Sequence, residues 1–483
     1  MMKSKVFRII FIFFSASLFS QNLVKGVVSI NNESESDFVI KVYEKTMGYI
    51  TQINTNEPFE LEFNSSSVEL IFVSDGFPSI NRLIDFNENK NSFINVELKV
   101  EELSEVVLSA KRKEVFLLKR MDDFEQTEIY AGKKNEVILI EQSMGNLASN
   151  NSRQIFNQIP GLNIYQNDDA GLQLNIGGRG LDPNRTSNFN TRQNGYDISA
   201  DVLGYPESYY TPPAEGLEEI QIIRGAASLQ YGTQFGGLIN FKLKKPDPVK
   251  PFTFLTRNTL GSNKLLTNFS MVSGSLEKFK YIGFINLKKG EGFRPNSEFN
   301  SSNIFFQLGY DFSEDTSISA EVTYLDYLTQ QAGGLSDRMF EENPYQSNRS
   351  RNWFALSWFL YNLKFQHSFS TNSNISLNFF GLDAQRNAIG FRSNRVGQID
   401  SNQERDLIKG DFNNYGAELR WLKRYKLSDI KSVFLIGSKY YRSDNTSEQG
   451  PGSEYSDADF RFRRDEFPNY NQQSAYNYPN QNL

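Results

Sequence analysis

The stretch Ser317-Ile318-Ser319-Ala320-Glu321-Val322-Thr323-Tyr324 decides how this chain folds. Ile318, Ala320, Val322 and Tyr324 fall on one side of an extended backbone, and Ser317, Ser319, Glu321 and Thr323 on the other. Side chains of a strand alternate between faces, so this run presents one apolar and one polar face. The pattern recurs on either side of it. Ile304, Phe306, Leu308, Tyr310 and Phe312 share a face, as do Ile375, Leu377 and Phe379. Tyr415, Ala417, Leu419 and Trp421 alternate with Gly416, Glu418 and Arg420. Period-two runs about ten residues long, joined alternately by short turns and long polar loops, suit a wall with lipid on one side. A soluble sandwich shares the alternation but does not need connections as unequal as Thr329–Asn352 and Asn387–Asn413.

Composition agrees with that reading. Aromatic residues make up 14% of the chain, with 41 Phe and 23 Tyr, yet the mean hydropathy is −0.50. The first residues set the compartment. Met1–Arg8 carries Lys3, Lys5 and Arg8, Ile9–Phe19 is almost wholly apolar, and Ser20-Gln21 follows. A charged start before an apolar run too short to span a bilayer reads as a secretory signal, residues 1–20. No later segment has the apolar length of a membrane helix. The chain has no cysteine and one histidine, His367, so no disulfide framework or metal-ligand cluster is expected, and no resident cofactor. A net charge of −6 gives no support to nucleic-acid binding. No Gly-x-Ser-x-Gly or strand-end carboxylate pair suggests an enzyme.

Ahead of the wall lie smaller units. In residues 22–100, Val24–Ile30, Phe38–Tyr43, Phe59–Phe63, Val68–Val73 and Phe93–Lys99 read as strands of a small β-sandwich. Residues 101–135 hold Glu105-Val106-Val107-Leu108-Ser109-Ala110 and then Lys111-Arg112-Lys113. That hexapeptide is either a last strand or linker, or a free strand that another protein captures at a sheet edge. Residues 136–245 read as a compact α+β unit. In it Ser143–Gln158 has helical apolar spacing up to Pro160-Gly161, and strands are expected at Leu172–Ile176, Glu219–Ile223 and Leu238–Leu243. Asp182–Ala200 between them reads as a polar stretch. About nine wall strands are expected within residues 246–483. The closing Tyr478–Leu483 reads as a loop, which leaves the wall incomplete.

Two stretches of the α+β unit carry a resemblance. Leu174-Asn175-Ile176-Gly177-Gly178-Arg179-Gly180 is similar to the "IRG" segment of TonB-dependent outer-membrane receptors. Leu217–Gly232, with Arg224-Gly225 and Tyr231-Gly232, followed by Gly236-Gly237-Leu238-Ile239-Asn240-Phe241, resembles the "hE-hhRGp-s-hyG-----GGhIN" pattern of TonB-dependent outer-membrane receptors. The fold this implies is mainly β: a carboxypeptidase-regulatory-like sandwich, an α+β plug, and part of a 22-stranded antiparallel transmembrane barrel. Arg179, Gly180, Arg224, Gly225, Tyr231, Gly232, Gly236, Gly237 and Asn240 would then keep the plug's fold, Arg224 through an ion pair. Glu105–Ala110 becomes a TonB box, captured by a TonB-type energy-transducing protein of the inner membrane. The resemblance thus implies an importer in the outer membrane, surrounded by lipid and driven by the proton-motive force, with no covalent chemistry.

Ala332-Gly333-Gly334-Leu335-Ser336-Asp337-Arg338 and Asn343–Arg351 look like a loop region of the ferric dicitrate branch, which implies a ferric chelate as cargo. Guanidinium groups suit an anionic carboxylate complex. Arg179, Arg185 and Arg192, with Arg338, Arg349 and Arg351, are therefore the candidate cradle, and Tyr205, Tyr209 and Tyr210 candidate vestibule residues. The alternative for each is an ordinary solvated side chain. Another cargo, such as a glycan or cobalamin, an adhesin, or an exported enzyme are the rival readings.

Overall fold

The computed structural model describes residues 22–31, 39–74, 79–86, 91–99, 118–119, 121–131, 135–143, 145–157, 159–232, 234–393, 395–427, 430–464 and 467–482. The expected signal at 1–20 and box at Glu105–Ala110 lie outside them. The chain divides into two compact units, Met1–Lys111 and Arg112–Leu483.

The first unit is a sandwich of a three-stranded and a four-stranded sheet. Asn22–Asn31 sits between Pro58–Phe63, antiparallel, and Asn91–Lys99, parallel. The second sheet runs Gly48–Asn54, Val39–Glu44, Ser67–Val73, Ile80–Asp85. Alternate apolar residues of both sheets, among them Val24, Phe59 and Leu98 facing Val42, Leu70 and Phe72, make one core. Sequence reading missed Gly48–Asn54 and Ile80–Asp85, for a physical reason. Both are edge strands, and of the second only Ile84 is buried, so neither carries an apolar alternation. Gly26 is needed by close packing: a Cβ there would meet the Ile94 carbonyl at 2.4 Å and the Phe59 ring at 2.8 Å. Gly26→Ala is therefore expected to destabilise this unit by about 1–3 kcal/mol. Faster amide exchange in Asn22–Asn31 and Asn91–Lys99 is the readout.

The second unit is dominated by a ten-stranded antiparallel sheet in simple sequential order. Its strands are Thr253–Leu260, Leu266–Leu276, Phe279–Gly290, Phe299–Ser313, Thr316–Gln330, Trp353–Ser370, Ser373–Gly390, Asp406–Leu427, Ile430–Pro451 and Phe467–Asn482. Two-residue turns at 277–278, 314–315 and 371–372 lie at one end, here the turn end. Longer connections at 291–298, 331–352, 391–405 and 452–466 lie at the other, the loop end. The outward face is the apolar one expected. Val322 is 40% exposed, whereas Thr323 beside it is 1% exposed. Ile304, Phe306, Tyr324, Phe359, Tyr361, Phe379, Leu419 and Tyr440 continue the outward belt. His367 stands on this face near the turn end, its Nδ1 2.8 Å from the Thr316 hydroxyl.

Two expectations about the wall are corrected. Phe467–Asn482, including most of the closing stretch read as a loop, pairs along Ile430–Pro451 as a tenth strand. Backbone groups, not apolar alternation, make that ladder, so its sequence gave no period-two signal. The connection read as Asn387–Asn413 is shorter, 391–405, because pairing between Ser373–Gly390 and Asp406–Leu427 persists through polar residues.

Against the wall's inward face packs an inner unit built on a six-stranded sheet. Its order is Tyr196–Asp197, Phe189–Gln193, Gly237–Leu243, Leu217–Ile223, Asn135–Leu139, Leu118–Lys119. Leu162–Tyr165 and Asn175–Gly178 form a separate hairpin. Inner-unit residues such as Phe156, Phe189, Tyr209 and Ile239 share one core with wall residues Phe284, Phe305, Trp358 and Phe380. The long helix expected over Ser143–Gln158 shrinks to Ser152–Phe156. Asn150 takes a left-handed φ of 55°, and Asn151 caps the helix by accepting from the Gln154 N–H at 3.2 Å. Asparagine side chains compete with helical hydrogen bonding in this way. Phe189–Gln193, inside the stretch read as polar and irregular, is a fully buried strand parallel to Gly237–Leu243.

Candidate functional site

The inner unit and wall meet through charge as well as apolar packing. Arg192, 0% exposed, donates through Nη1 to Glu418 Oε2 at 3.2 Å and to the Gly195 carbonyl at 2.6 Å, and through Nε to Asn190 Oδ1 at 3.0 Å. Its Nη2 lies 3.2 Å from Asp197 Oδ1, an ion pair without hydrogen-bond alignment. From the wall, Arg420 pairs with Glu418 and Lys439 with Asp197. The guanidinium groups of Arg192 and Arg420 lie over the Tyr231 ring at 4.7 and 4.4 Å. Nearby, Glu321 of the wall accepts from Gln193 at 3.3 Å, Asn194 at 2.8 Å and Gln307 at 2.9 Å. Asp201 accepts from the Tyr441 hydroxyl at 3.1 Å and from Asn445 at 3.0 Å. Toward the turn end, the Thr127 and Ser376 hydroxyls are 2.7 Å apart.

A second cluster lies toward the loop end. Arg185 Nη1 donates to Glu207 Oε2 at 2.7 Å and to the Tyr209 hydroxyl at 2.8 Å, and its guanidinium sits 5.0 Å over the Tyr209 ring. Tyr209 in turn donates to Glu207 at 2.6 Å. The Tyr205 and Tyr209 hydroxyls are 2.8 Å apart, and Arg386 Nη2 of the wall donates to Tyr205 at 3.1 Å. Tyr205 stacks on Phe412, with ring centroids 5.4 Å apart. Burial raises the Glu207 pKa, but hydrogen bonds from Tyr209 and Arg185 outweigh it and hold the carboxyl below its ordinary value. Burial pushes the Tyr209 phenol well up, so it stays a hydrogen-bond donor at neutral pH. The cluster thus holds two guanidinium groups and one carboxylate, Glu207 pairing with Arg185 while Arg386 meets the Tyr205 hydroxyl and the Tyr209 ring, its Nε buried without a hydrogen-bond partner. An anion with planar oxygens fits such a surplus.

The six arginines expected to form one cradle are not brought together. Only Arg185 joins the loop-end cluster. Arg192 lies in the buried seam, not at a loop-facing apex. Arg179 is exposed at the hairpin end beside Gly161, near Arg224, away from the 166–174 connection that meets the wall's loop end. Arg338 is exposed, 3.8 Å from Glu342 on its own short helix. Arg349 and Arg351 are buried and bind the loops to each other. Arg349 donates to Ser393 Oγ at 2.6 Å and the Gln398 carbonyl at 3.1 Å. Arg351 grips Asp400 through Nε at 2.9 Å and Nη2 at 2.5 Å, and reaches the Gln403 and Glu454 carbonyls. Arg405 adds bonds to Ser453 and Asp457. Loop carbonyls need cations when water is excluded, and sequence spacing does not reveal which arginines serve them. Arg351→Ala is expected to cost about 3 kcal/mol at this latch. Amide exchange should then rise in 391–405 and 452–464 together, with membrane insertion unchanged.

Sequence reading overlooked Arg386. Its signal was present: Phe379 faces out, so an odd step of seven residues in the same strand puts Arg386 on the inward face. Tyr209 and Tyr210 are fully buried, so Tyr205 is the partly exposed member of that trio.

The glycine-rich stretches position the inner sheet. Arg224 Nη2 binds both Glu136 oxygens at 2.6 and 2.5 Å, and Nη1 the Pro160 carbonyl at 3.1 Å. Gly237 has φ 113°, and a Cβ there would meet the Ile223 carbonyl at 2.5 Å, which no other residue tolerates. Gly236 packs its Cα against the Asn188 carbonyl and the Phe189 ring. Gly180, Gly225 and Gly232 also take positive φ. Asn240 accepts the Gly195 N–H at 3.0 Å and donates to Gln221 at 2.8 Å.

Residues 135–238 match the family described as the TonB-dependent receptor plug domain. The chain is 31% identical over 158 residues to the ferric enterobactin receptor PirA of Pseudomonas aeruginosa, covering 28% of this chain and 21% of that protein. Among solved structures, the unliganded ferric citrate transporter FecA aligns with a TM-score of 0.60 at 17% identity, covering 74% of this chain and 60% of that one. The copper transporter OprC aligns with a TM-score of 0.51 at 16% identity, over 71% and 52% of the two chains. At these identities the structures speak to fold, not to cargo. The chain spans three-fifths or less of the length of each of these relatives. Residues 135–238 are thus a TonB-dependent receptor plug domain, set against a large antiparallel sheet of the kind that forms those receptors' barrels.

Proposed function

We propose that the protein imports a ferric chelate, ferric citrate or another siderophore, across the outer membrane. In this reading the proton-motive force acts through a TonB-type protein of the inner membrane that captures Glu105–Ala110 as an added strand. The outward apolar belt meets lipid, and the plug closes the passage until it is pulled. The chelate is cargo, and no resident cofactor takes part. The observation that carries the reading is the loop-facing pair Arg185 and Arg386 around Tyr205 and Tyr209, two guanidinium groups of which Arg185 alone is paired with a carboxylate, Glu207. The chain is 31% identical over 158 residues to a ferric enterobactin receptor, which supports iron among possible cargoes.

The test is direct binding of iron(III) citrate to the full-length protein. Arg386→Ala and Arg185→Ala should each raise Kd about tenfold or more, the scale of a lost charge-assisted hydrogen bond. Arg338→Ala should leave it unchanged. Unaltered affinity in both of the first two variants would remove this cluster from the site.

A further inference from the structure

We infer that the imported chelate carries, besides its anionic metal centre, a neutral hydrogen-bonding arm that seats in a second compartment beside the Arg185–Arg386 cluster; this deepens the ferric-chelate reading and rests on it. A cavity of about 680 Å³ opens between the plug and the wall's loop end. That is the size of a pocket for a drug-sized molecule. Its charges cancel, since Asp168 and Asp169 face Arg153 and Arg294.

Three of those four groups are also engaged. Asp168 accepts the Leu172 N–H at 2.9 Å and the Tyr327 hydroxyl at 3.3 Å. Asp169 accepts the Phe293 N–H at 3.0 Å. Arg294 donates to the Gly333 carbonyl at 2.5 Å and the Gln346 carbonyl at 3.3 Å. What the cavity offers freely is amide. The side chains of Asn167, Gln173 and Gln331 line it, and none of the three makes a hydrogen bond among the described residues. Each such head presents a donor and an acceptor and no charge, so the matching chemistry is amide or hydroxyl.

The two compartments adjoin. Asn175 links them, donating to the Gln173 carbonyl at 3.0 Å and accepting the Arg185 N–H at 2.9 Å. On the wall, Thr329 pairs with Phe354, which pairs with Ala388, two residues beyond Arg386. Two strand spacings are about 10 Å, a reach that suits one ligand holding both parts. A small carboxylate chelate would occupy the cationic compartment and leave the amide compartment to water.

The experiment compares three probes on the full-length protein and on the double variant Gln173→Leu/Gln331→Leu. The probes are iron(III) citrate, an anionic iron(III) chelate of a short peptide bearing α-hydroxycarboxylates, and maltoheptaose as an iron-free hydroxyl source. The expected result is that the variant loses about tenfold in affinity for the peptide chelate and stays within about twofold for iron(III) citrate. Retained citrate binding also shows that the variant folds. If the native protein binds the peptide chelate no better than iron(III) citrate, or the variant binds both as the native protein does, the arm is refuted while the ferric reading stands. If neither iron complex binds the native protein, the ferric reading falls. In that event maltoheptaose binding that the variant loses would sustain the amide compartment, and no such binding would end it as well.

Discussion

Replacing Arg192 with Ala is expected to prevent the plug from seating in the wall. Arg192 is fully buried and is the plug's cation between Asp197 and Glu418. Without it two carboxylates face each other across the seam, with Lys439 and Arg420 left as their counter-charges. Each carboxylate keeps one cation, so the cost, about 3 kcal/mol or more, comes from the charge-assisted hydrogen bonds lost at Glu418, Gly195 and Asn190 and from the cavity the side chain leaves. Loss of the cation–π contact with Tyr231 adds to that. The expected outcome is protease-sensitive plug in membrane fractions, or loss of folded protein from them. A variant as resistant as the native protein would show that the seam's charges do not hold the two parts together.

Deleting Glu105–Ala110 should abolish uptake and leave ligand binding intact. The proposed binding cluster lies toward the loop end of the wall, whereas the hexapeptide precedes the plug in sequence. Strand capture uses main-chain hydrogen bonds, so under the proposed coupling the length of Glu105–Ala110 and its backbone donors matter more than any one side chain. Val107→Pro removes one backbone donor and should act as the deletion does. Cells carrying either variant should bind labelled iron(III) citrate at native affinity and accumulate none. Native accumulation in the deletion strain would detach energy coupling from this segment.

The wall was legible because its outward face follows a simple rule. Every outward residue from Ile304 to Phe312 and from Ile318 to Tyr324 must be apolar, so the period of two survives in the sequence. The inward face obeys no such rule. Glu321, Asn362, Glu418 and Arg420 sit there beside Leu325, Trp358 and Phe380, each chosen by what the plug places opposite. For the same reason Phe189–Gln193 escaped recognition. Asn190, Arg192 and Gln193 are buried against polar partners, and burial of that kind leaves no apolar pattern. Arginine chemistry hid the binding cluster. Arg349 and Arg351 looked like ligand groups by position, yet loop carbonyls and Asp400 occupy them. Arg386 was legible by its parity with Phe379, but what it faces became visible only once the inner unit was placed against the wall.

The most direct measurement joins plug to wall covalently. The chain contains no cysteine, so a pair introduced at Thr127 and Ser376, whose hydroxyls are 2.7 Å apart, has no competing thiol. Membranes from cells carrying Thr127→Cys/Ser376→Cys should show an intramolecular disulfide, native binding of iron(III) citrate, and arrested uptake that a reductant restores. Failure of the two thiols to join, or uptake that continues with the bond in place, would contradict a plug that is lodged in the wall and must move for import.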